Sequence, residues 1–232
     1  MKYGNLLELV KNRRSIRRFK PESVPDEYVD KIIEVARWAP SGANTQSWEF
    51  VVVKKQELKD SIVQFFEEGY ALAYRMELTR APERRHPAFA RPPGGTPGFA
   101  GAPIFILVCG DIRTQNAFPL SVVLQKKQIV FNSNQANAIL YMHLAATALG
   151  LGSQWVSTVA FAYVQCHVKE LLGLPEELEI YDMMALGYPD QEPKPRPVRT
   201  REEMVQYDCY DKTKSRTDEE VRDFITTIHR GR

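Results

Sequence analysis

The chain has 232 residues, 44% of them hydrophobic and 26% charged, with a formal net charge of +2. That length suits one large domain with ample core, and near-neutrality gives no nucleic-acid signature. No window approaches the ~20 apolar residues of a membrane span, and the start shows no signal-peptide apolar region, so a cytoplasmic protein is expected. Three scattered cysteines, Cys109, Cys166 and Cys209, argue against a disulfide framework.

After a short amphipathic segment with Leu6, Leu7, Leu9 and Val10 comes Arg13-Arg14-Ser15-Ile16-Arg17-Arg18-Phe19, ended by Lys20-Pro21. Read as an extended strand, it sends Arg13, Ser15 and Arg17 to one side and Arg14, Ile16 and Arg18 to the other, with Arg13 and Arg17 roughly 13 Å apart. Arginine suits phosphate because its planar fork donates two hydrogen bonds and keeps its charge. A solvated basic strand is the plainer alternative. Pro25-Asp26-Glu27 then opens a helix whose stripe is Val29, Ile32, Ile33 and Ala36, stopping near Trp38.

The small, polar stretch Ala39 to Ser47 leads into Trp48 to Val53, a buried strand by its β-rich run. Such an amide-bearing loop can hydrogen-bond a heterocycle edge while glycine lets the backbone approach, or be a mere turn. Gln56 to Glu68 reads as helix, and residues 69–101, rich in arginine and proline, as a long excursion: a lid or a surface loop. Pro103 to Cys109 is a central strand, with Cys109 a small buried hydrophobe. Ser133 is expected to cap a long helix with a stripe of Ala136, Ile139, Leu140, His143, Leu144 and Thr147, closed by Leu149-Gly150-Leu151-Gly152. His143 reads as an interior histidine. Ser153 to Val159 resumes β character and runs into a helix ending near Gly173, and Ile180 to Leu186 is a further strand. Residues 192–199 are proline-rich, basic and extended, and Thr217 to Arg232 a terminal helix with Val221, Phe224, Ile225 and Ile228 on one face. Strands that alternate with helices yet also cluster indicate an α+β fold with a mixed sheet. No Rossmann fingerprint, P-loop, metal-ligand spacing or nucleophile elbow is present.

Four stretches, in order, resemble the nitroreductase family of FMN-dependent oxidoreductases: Arg13 to Phe19, Ala39 to Phe50, Leu144 to Trp155, and Leu186 to Pro189 with the basic tail. The resemblance implies one nitroreductase-like domain over 1–232, with a lid-like insertion at about 69–101 and a C-terminal extension from about 190. It implies a three-layer α+β fold with a mainly antiparallel sheet, a homodimer with FMN at the interface, and ping-pong reduction of a small electron acceptor such as a nitro-aromatic or quinone by NADH or NADPH. Nucleic acid, membrane and metal are not implied. Carried over, Arg13, Arg14, Ser15 and Arg17 would hold the FMN phosphate, ribityl chain and pyrimidine edge, Arg17 tuning the flavin, while no residue is marked out as a general acid. Pro40, Ser41, Gly42 and Asn44 would line the ring from the partner subunit, Ala43 lying on the substrate side. Ser157 and Thr158 would face the ring, with a backbone N–H towards N5, and Arg196 or, by preference, Arg199 would complete the phosphate site.

The chain departs from the pattern at three places. Ser47 replaces the usual proline and would loosen that turn, Ser157-Thr158 replaces Gly-Gly, and Val198 stands before Arg199 where two adjacent arginines are usual. The start and Pro40 to Ala43 also resemble the iodotyrosine deiodinase branch, which makes reductive dehalogenation an alternative. That branch's acidic residue four before a lid tyrosine is missing, since Phe66 precedes Tyr70 and Tyr70 precedes Tyr74. A non-enzymatic flavin- or anion-binding module is the remaining alternative.

Overall fold

A computed structural model describes residues 2–86, 89, 92, 94–193 and 197–230. The chain divides into two compact units, one of residues 1–72 with 94–193, the other of 73–93 with 194–232. The excursion at 69–101 is therefore shared between them.

The first unit contains, in chain order, α1 (Tyr3–Asn12), α2 (Asp26–Arg37), β1 (Trp48–Val53), α3 (Gln56–Leu78, to Leu72 in this unit), β2 (Ile104–Asp111), α4 (Leu120–Gln125), α5 (Lys127–Ala148), β3 (Gly152–Val156), α6 (Ala162–Leu172) and β4 (Leu178–Gly187). The sheet order is β1-β2-β4-β3, and all three pairings are antiparallel. A parallel component enters through the bridge between Ser15 and Ser153. β2 is flanked on both sides and covered on both faces, which is why it reads as an unbroken apolar run. Ile104, Ile106 and Val108 join Met184 and Leu186 against Val29, Ile32 and Ala36 of α2 and Ile139, Met142 and Ala146 of α5. Phe105, Leu107 and Cys109 join Met183 and Ala185 against Ile62 of α3 and Val164 and Val168 of α6. Helices on each face of one sheet make three layers, the α+β architecture expected.

Several boundaries differ from the sequence reading. α3 continues well past Glu68, because nothing in Gly69 to Leu78 breaks a helix strongly enough to outweigh its packing. α5 begins at Lys127, so Ser133 is interior and its hydroxyl donates to the Ile129 carbonyl instead of capping. The buried face of α5 matches the expected stripe only in part: Ile139 and His143 are buried, but Leu140 is 45% exposed, and Ala138, Met142, Asn134 and Gln135 are buried outside it. Polar side chains that meet partners across the core displaced the apolar stripe.

Between Val108 and Cys109 the β2–β4 register slips, leaving Tyr181 unpaired on β4. The bulge turns Tyr181 towards the α2/α5 face, where its ring meets Trp155 edge-on. The Trp155 indole also donates to the buried Asp182 carboxylate and stacks on His143 at 5.5 Å. Desolvation pushes Asp182 up to about 6, only partly offset by the indole hydrogen bond. Burial, with a repulsive contribution from Arg13, holds His143 down to about 3, so its ring stays neutral. Its Nδ1 is 2.7 Å from the Ser153 hydroxyl.

In the second unit, Arg85 donates to the carbonyls of Leu78 and Arg80 at the end of α3, and Arg80 pairs with Glu77. The tail forms α7 (Arg201–Met204), capped reciprocally by Thr200 and Glu203, and α8 (Asp218–Arg230). Thr217 and Glu220 exchange backbone–side-chain hydrogen bonds at the start of α8. Phe224 and Ile225 of the expected apolar face are each 37% exposed, and the Ile228 side chain lies outside the described residues.

The Asp182 carboxyl favours the fold in its protonated form, so its contribution is full below its unfolded value of 3.8 and is lost as pH rises through about 6. Asp182→Asn keeps an oxygen for the indole N–H and removes the charge. Urea titrations are expected to show the variant more stable than the parent at pH 8, by up to about 3 kcal/mol, with no gain at pH 4.

Candidate functional site

The arginine-rich segment is extended, but it pairs with the sheet only at two isolated points. Ser15 bridges Ser153 at the start of β3, and Phe19 bridges Pro189 just past β4. The Ile16 N–H donates to the Ser153 carbonyl at 2.9 Å, Lys20 N–H to Tyr188, and Asp190 N–H to the Arg18 carbonyl. Between the bridges, the N–H groups of Arg17 and Arg18 both donate to Gln191 Oε1 at 2.9 Å. A side-chain amide thus takes the place of a neighbouring strand, and the regular alternation expected of Arg13 to Arg18 does not form. Ile16 is the buried anchor. It presses on Gly152, where a Cβ would come within 2.8–2.9 Å of three Ile16 carbons. Arg13 and Arg14 are half-buried and Arg17 and Arg18 exposed. Arg14 donates to the carbonyls of Lys11 and Arg13 at the end of α1. Three of the four stretches singled out in the sequence therefore meet: the arginines, Gly152-Ser153 and Gly187 to Pro189.

The fourth, Pro40 to Ser47, is moored elsewhere, on the first half of α5. Asn134 Oδ1 accepts the Gly42 N–H at 2.8 Å, and its Nδ2 donates to the hydroxyls of Thr45 and Ser47 at 3.1 and 3.3 Å. Asn137 Nδ2 donates to the Pro40 carbonyl at 2.9 Å, and the Gln46 N–H reaches Ser41 Oγ at 3.0 Å. Gly42 sits so close to Val130 that a Cβ would lie 2.4 Å from its Cγ1. Ala43 and Asn44 are exposed, both at positive φ. Ser47 does the opposite of loosening the turn. It is 2% exposed, its hydroxyl accepts from Gln135 Nε2 at 2.8 Å as well as from Asn134, and its carbonyl receives the Asp111 N–H at 2.8 Å. Proline there would offer no hydroxyl to these two buried amides.

Ser157 and Thr158 follow directly on β3, Ser157 exposed and Thr158 half-buried, and their carbonyls accept from Ala160 and Phe161 while Val159 is buried beneath. In the second unit, Arg199 Nη2 donates to the Glu203 carbonyl at 2.7 Å, and Arg199 lines a cavity of about 360 Å³ with Tyr210, Lys214 and Arg216. Arg196 lies outside the described residues. Cys109 is fully buried and its thiol pushed up to about 12, which removes it as a nucleophile. Among the described residues, no group of three or more acidic, histidine or cysteine side chains forms a metal cluster, and no helix is long and apolar enough to cross a membrane.

Sequence reasoning did not find Asn134, Asn137, Ser153 or Gln191 as supports. Each bonds to a residue distant in sequence or buried in a helix, where spacing carries no signal. Chemically, the first half-site offers guanidinium groups, a hydroxyl and extended backbone, a donor set suited to phosphate and polyol oxygens. The second offers a turn of exposed amides suited to a heterocycle edge. The residues present therefore fit a phosphorylated planar cofactor.

The family model described as the Nitroreductase family matches residues 10–188. A protein named iodotyrosine deiodinase from Thermotoga neapolitana is 31% identical over 88% of this chain and 98% of its own. One from Archaeoglobus fulgidus, named a putative NADH dehydrogenase/NAD(P)H nitroreductase, is 28% identical over 80% of this chain and 86% of its own. Among solved structures, oxidised iodotyrosine deiodinase bound to FMN and 3-iodo-L-tyrosine superposes with a TM-score of 0.69 at 28% identity, covering 88% of this chain and 100% of that one. The NADPH:FMN oxidoreductase of Vibrio harveyi has the same fold, with a TM-score of 0.69 at 21% identity over 97% of this chain and 85% of that one.

Two substitutions test the moorings. Gly152→Ala drives a methyl into Ile16 and is expected to cost about 1–3 kcal/mol in thermal or urea unfolding. Ser47→Ala removes the acceptor of two buried amides and is expected to cost about 1–3 kcal/mol by the same measurement. An unchanged midpoint in either would contradict the contact described.

Proposed function

The chain belongs to the nitroreductase family, and from that premise we propose that it is an FMN-dependent oxidoreductase that oxidises NADH or NADPH and reduces a small organic acceptor, nitro-aromatic, quinone or similar, in two half-reactions. The observation that carries this reading is the convergence of Arg13 to Phe19 on the ends of β3 and β4, which fixes an arginine-rich backbone beside the Ser153 carbonyl and the Gln191 amide.

FMN, when bound, supplies the two-electron redox chemistry. The chain's own residues bind and orient. Arg13, Arg14 and Ser15 hold the phosphate and ribityl oxygens through charge-assisted hydrogen bonds. Arg17 would serve the pyrimidine edge, where a fixed cation would favour negative charge in the reduced state. Ser157 and Thr158 present hydroxyls and backbone at the other edge. Pro40, Ser41, Gly42 and Asn44 would line the ring from a second copy, with Ala43 on the acceptor's side. A second copy accords with the surface: α1 has no buried residue, leaving Tyr3 77% exposed with Leu6, Leu7 and Val10, and Ile129 and Leu140 of α5 are exposed as well. Residues 1–232 are read as one nitroreductase-like chain.

A reductive dehalogenase is the second reading, favoured by the Thermotoga neapolitana relative. It ranks lower because Phe66 and Tyr70 stand where the acidic residue is expected, and nearby Glu68 is bonded to the Tyr163 hydroxyl at 2.6 Å and to Gln64 at 2.9 Å. Its carboxylate is held below the usual range by those donors.

Anaerobic titration of the FMN-loaded protein with NADH and NADPH, followed by reoxidation with a nitro-aromatic, a quinone and 3-iodotyrosine, separates the readings. Bleaching and recovery with the first two are expected, and iodide release would favour dehalogenation. A protein that takes up no FMN and binds anions in a steeply salt-dependent way would overturn both. Arg17→Ala is expected to weaken FMN binding at least tenfold and slow bleaching, as loss of a charged hydrogen-bond donor implies. Unchanged flavin content and rate would remove Arg17 from the site.

A further inference from the structure

We infer that Asn134, buried in α5 and remote from the arginine segment, is a positioning residue that holds the Pro40–Ser47 loop in a left-handed turn so that its backbone meets the cofactor ring. Three residues of this loop, none of them glycine, lie in the left-handed region: Ala43 at φ 53°, Asn44 at 52° and Gln46 at 43°. That conformation costs an L-residue roughly 1–2 kcal/mol, less for Asn, because Cβ crowds the following carbonyl. All three are exposed, so burial of their side chains does not offset the cost. Strain kept at exposed positions points to a use for the backbone shape itself.

Asn134 is built to enforce that shape. It is 1% exposed, and its amide brackets the strained residues, accepting the Gly42 N–H on one side and donating to Thr45 and Ser47 on the other. Gly42 is forced against Val130, which admits no side chain there. Asn137 fixes the Pro40 carbonyl and Gln135 fixes Ser47. α5 thereby holds the loop at Pro40, Gly42, Thr45 and Ser47, leaving Ala43 and Asn44 as the part presented outward. The inference rests on the FMN reading for the identity of what the loop meets, but not for the clamp.

The test uses the full chain in its apo form, with amide hydrogen exchange over residues 39–47 and FMN affinity from flavin fluorescence quenching. Asn134→Ala is expected to speed exchange at Gly42 and Gln46 at least tenfold and raise the FMN Kd at least tenfold, with the central strands still protected. Asn134→Asp retains the acceptor for Gly42, and the hydroxyls of Thr45 and Ser47 can turn to donate to it, so both readouts stay near the parent. Adding Ala43→Gly to Asn134→Ala is expected to recover most of the affinity, because glycine adopts positive φ freely. Parent-like exchange and Kd in Asn134→Ala would overturn the inference. Should that variant fail to fold, loss of protection and affinity in Asn134→Asp would overturn it equally. A parent chain that binds no FMN would overturn the functional reading, while exchange would still decide the clamp.

Discussion

The pairing of β2 with β4 is the constraint on which the rest of the first unit depends. Both strands are apolar on both faces, so neither is stable without a helix layer on each side. Burying a side chain such as Phe105 or Leu107 contributes roughly 1.5–3 kcal/mol, and the strands supply nine of this kind between them, Ile104 to Val108 with Ile180, Met183, Met184 and Leu186. Once that pair is sandwiched, its ends are fixed points. The arginine segment attaches to one set of ends, at Ser153, Tyr188 and Pro189. The Pro40–Ser47 loop attaches to another through the Ser47 carbonyl and Asp111. A site assembled from loops needs such a scaffold because loop backbones cannot satisfy their own polar groups.

Polar side chains buried in α5 are the second determinant. Asn134, Gln135 and His143 sit on the face that the helix turns to the core, and each finds a partner across it: Thr45 and Ser47, Ser47, and Ser153. The pairing is incomplete, since Gln135 Oε1 and His143 Nε2 are buried without a hydrogen-bond partner among the described residues. Burial, with repulsion from Arg13, explains why His143 resists protonation, its ring pressed against Trp155. Its effect on stability runs opposite to that of Asp182. The histidine's neutral form is favoured above its unfolded value of 6.5, and that preference is lost as pH falls towards about 3. The two groups, linked through one indole, therefore destabilise the fold from opposite sides of the pH scale.

What could be read from the residues alone follows from how local each signal is. Pro103 to Cys109 was legible because a strand covered on both faces leaves an unbroken apolar run. α2 was legible because Val29, Ile32 and Ala36 repeat at helical spacing. The phase of α5 was not, since its buried face is partly amide and imidazole, and an apolar stripe drawn through Leu140 and Leu144 points the wrong way. Ser133 resembles a cap only when the six helical residues before it, from Lys127, are ignored. Ser47 was misjudged for a related reason: a serine in place of proline looks permissive until Asn134 and Gln135, nearly 90 residues on, are seen to bond to it. Gln191 meets Arg17 from 174 residues away, and no spacing rule reaches so far.

α5 also sets the distance between the two half-sites. Asn134 holds the amide loop and His143, through Ser153, supports the arginine segment. Nine residues of α-helix separate them, a rise of roughly 14 Å that side-chain motion cannot shorten. A ligand held within one protomer would meet loops pinned to one helix, whereas a ligand shared by two copies would take its anionic end from one and its ring edge from the other. In either arrangement the rigid element is the helix and the adaptable one is the ligand. The sequence differences that matter most for the site are therefore those that change how each loop is pinned to α5, as Ser47 and Asn134 do, more than those at the exposed tips.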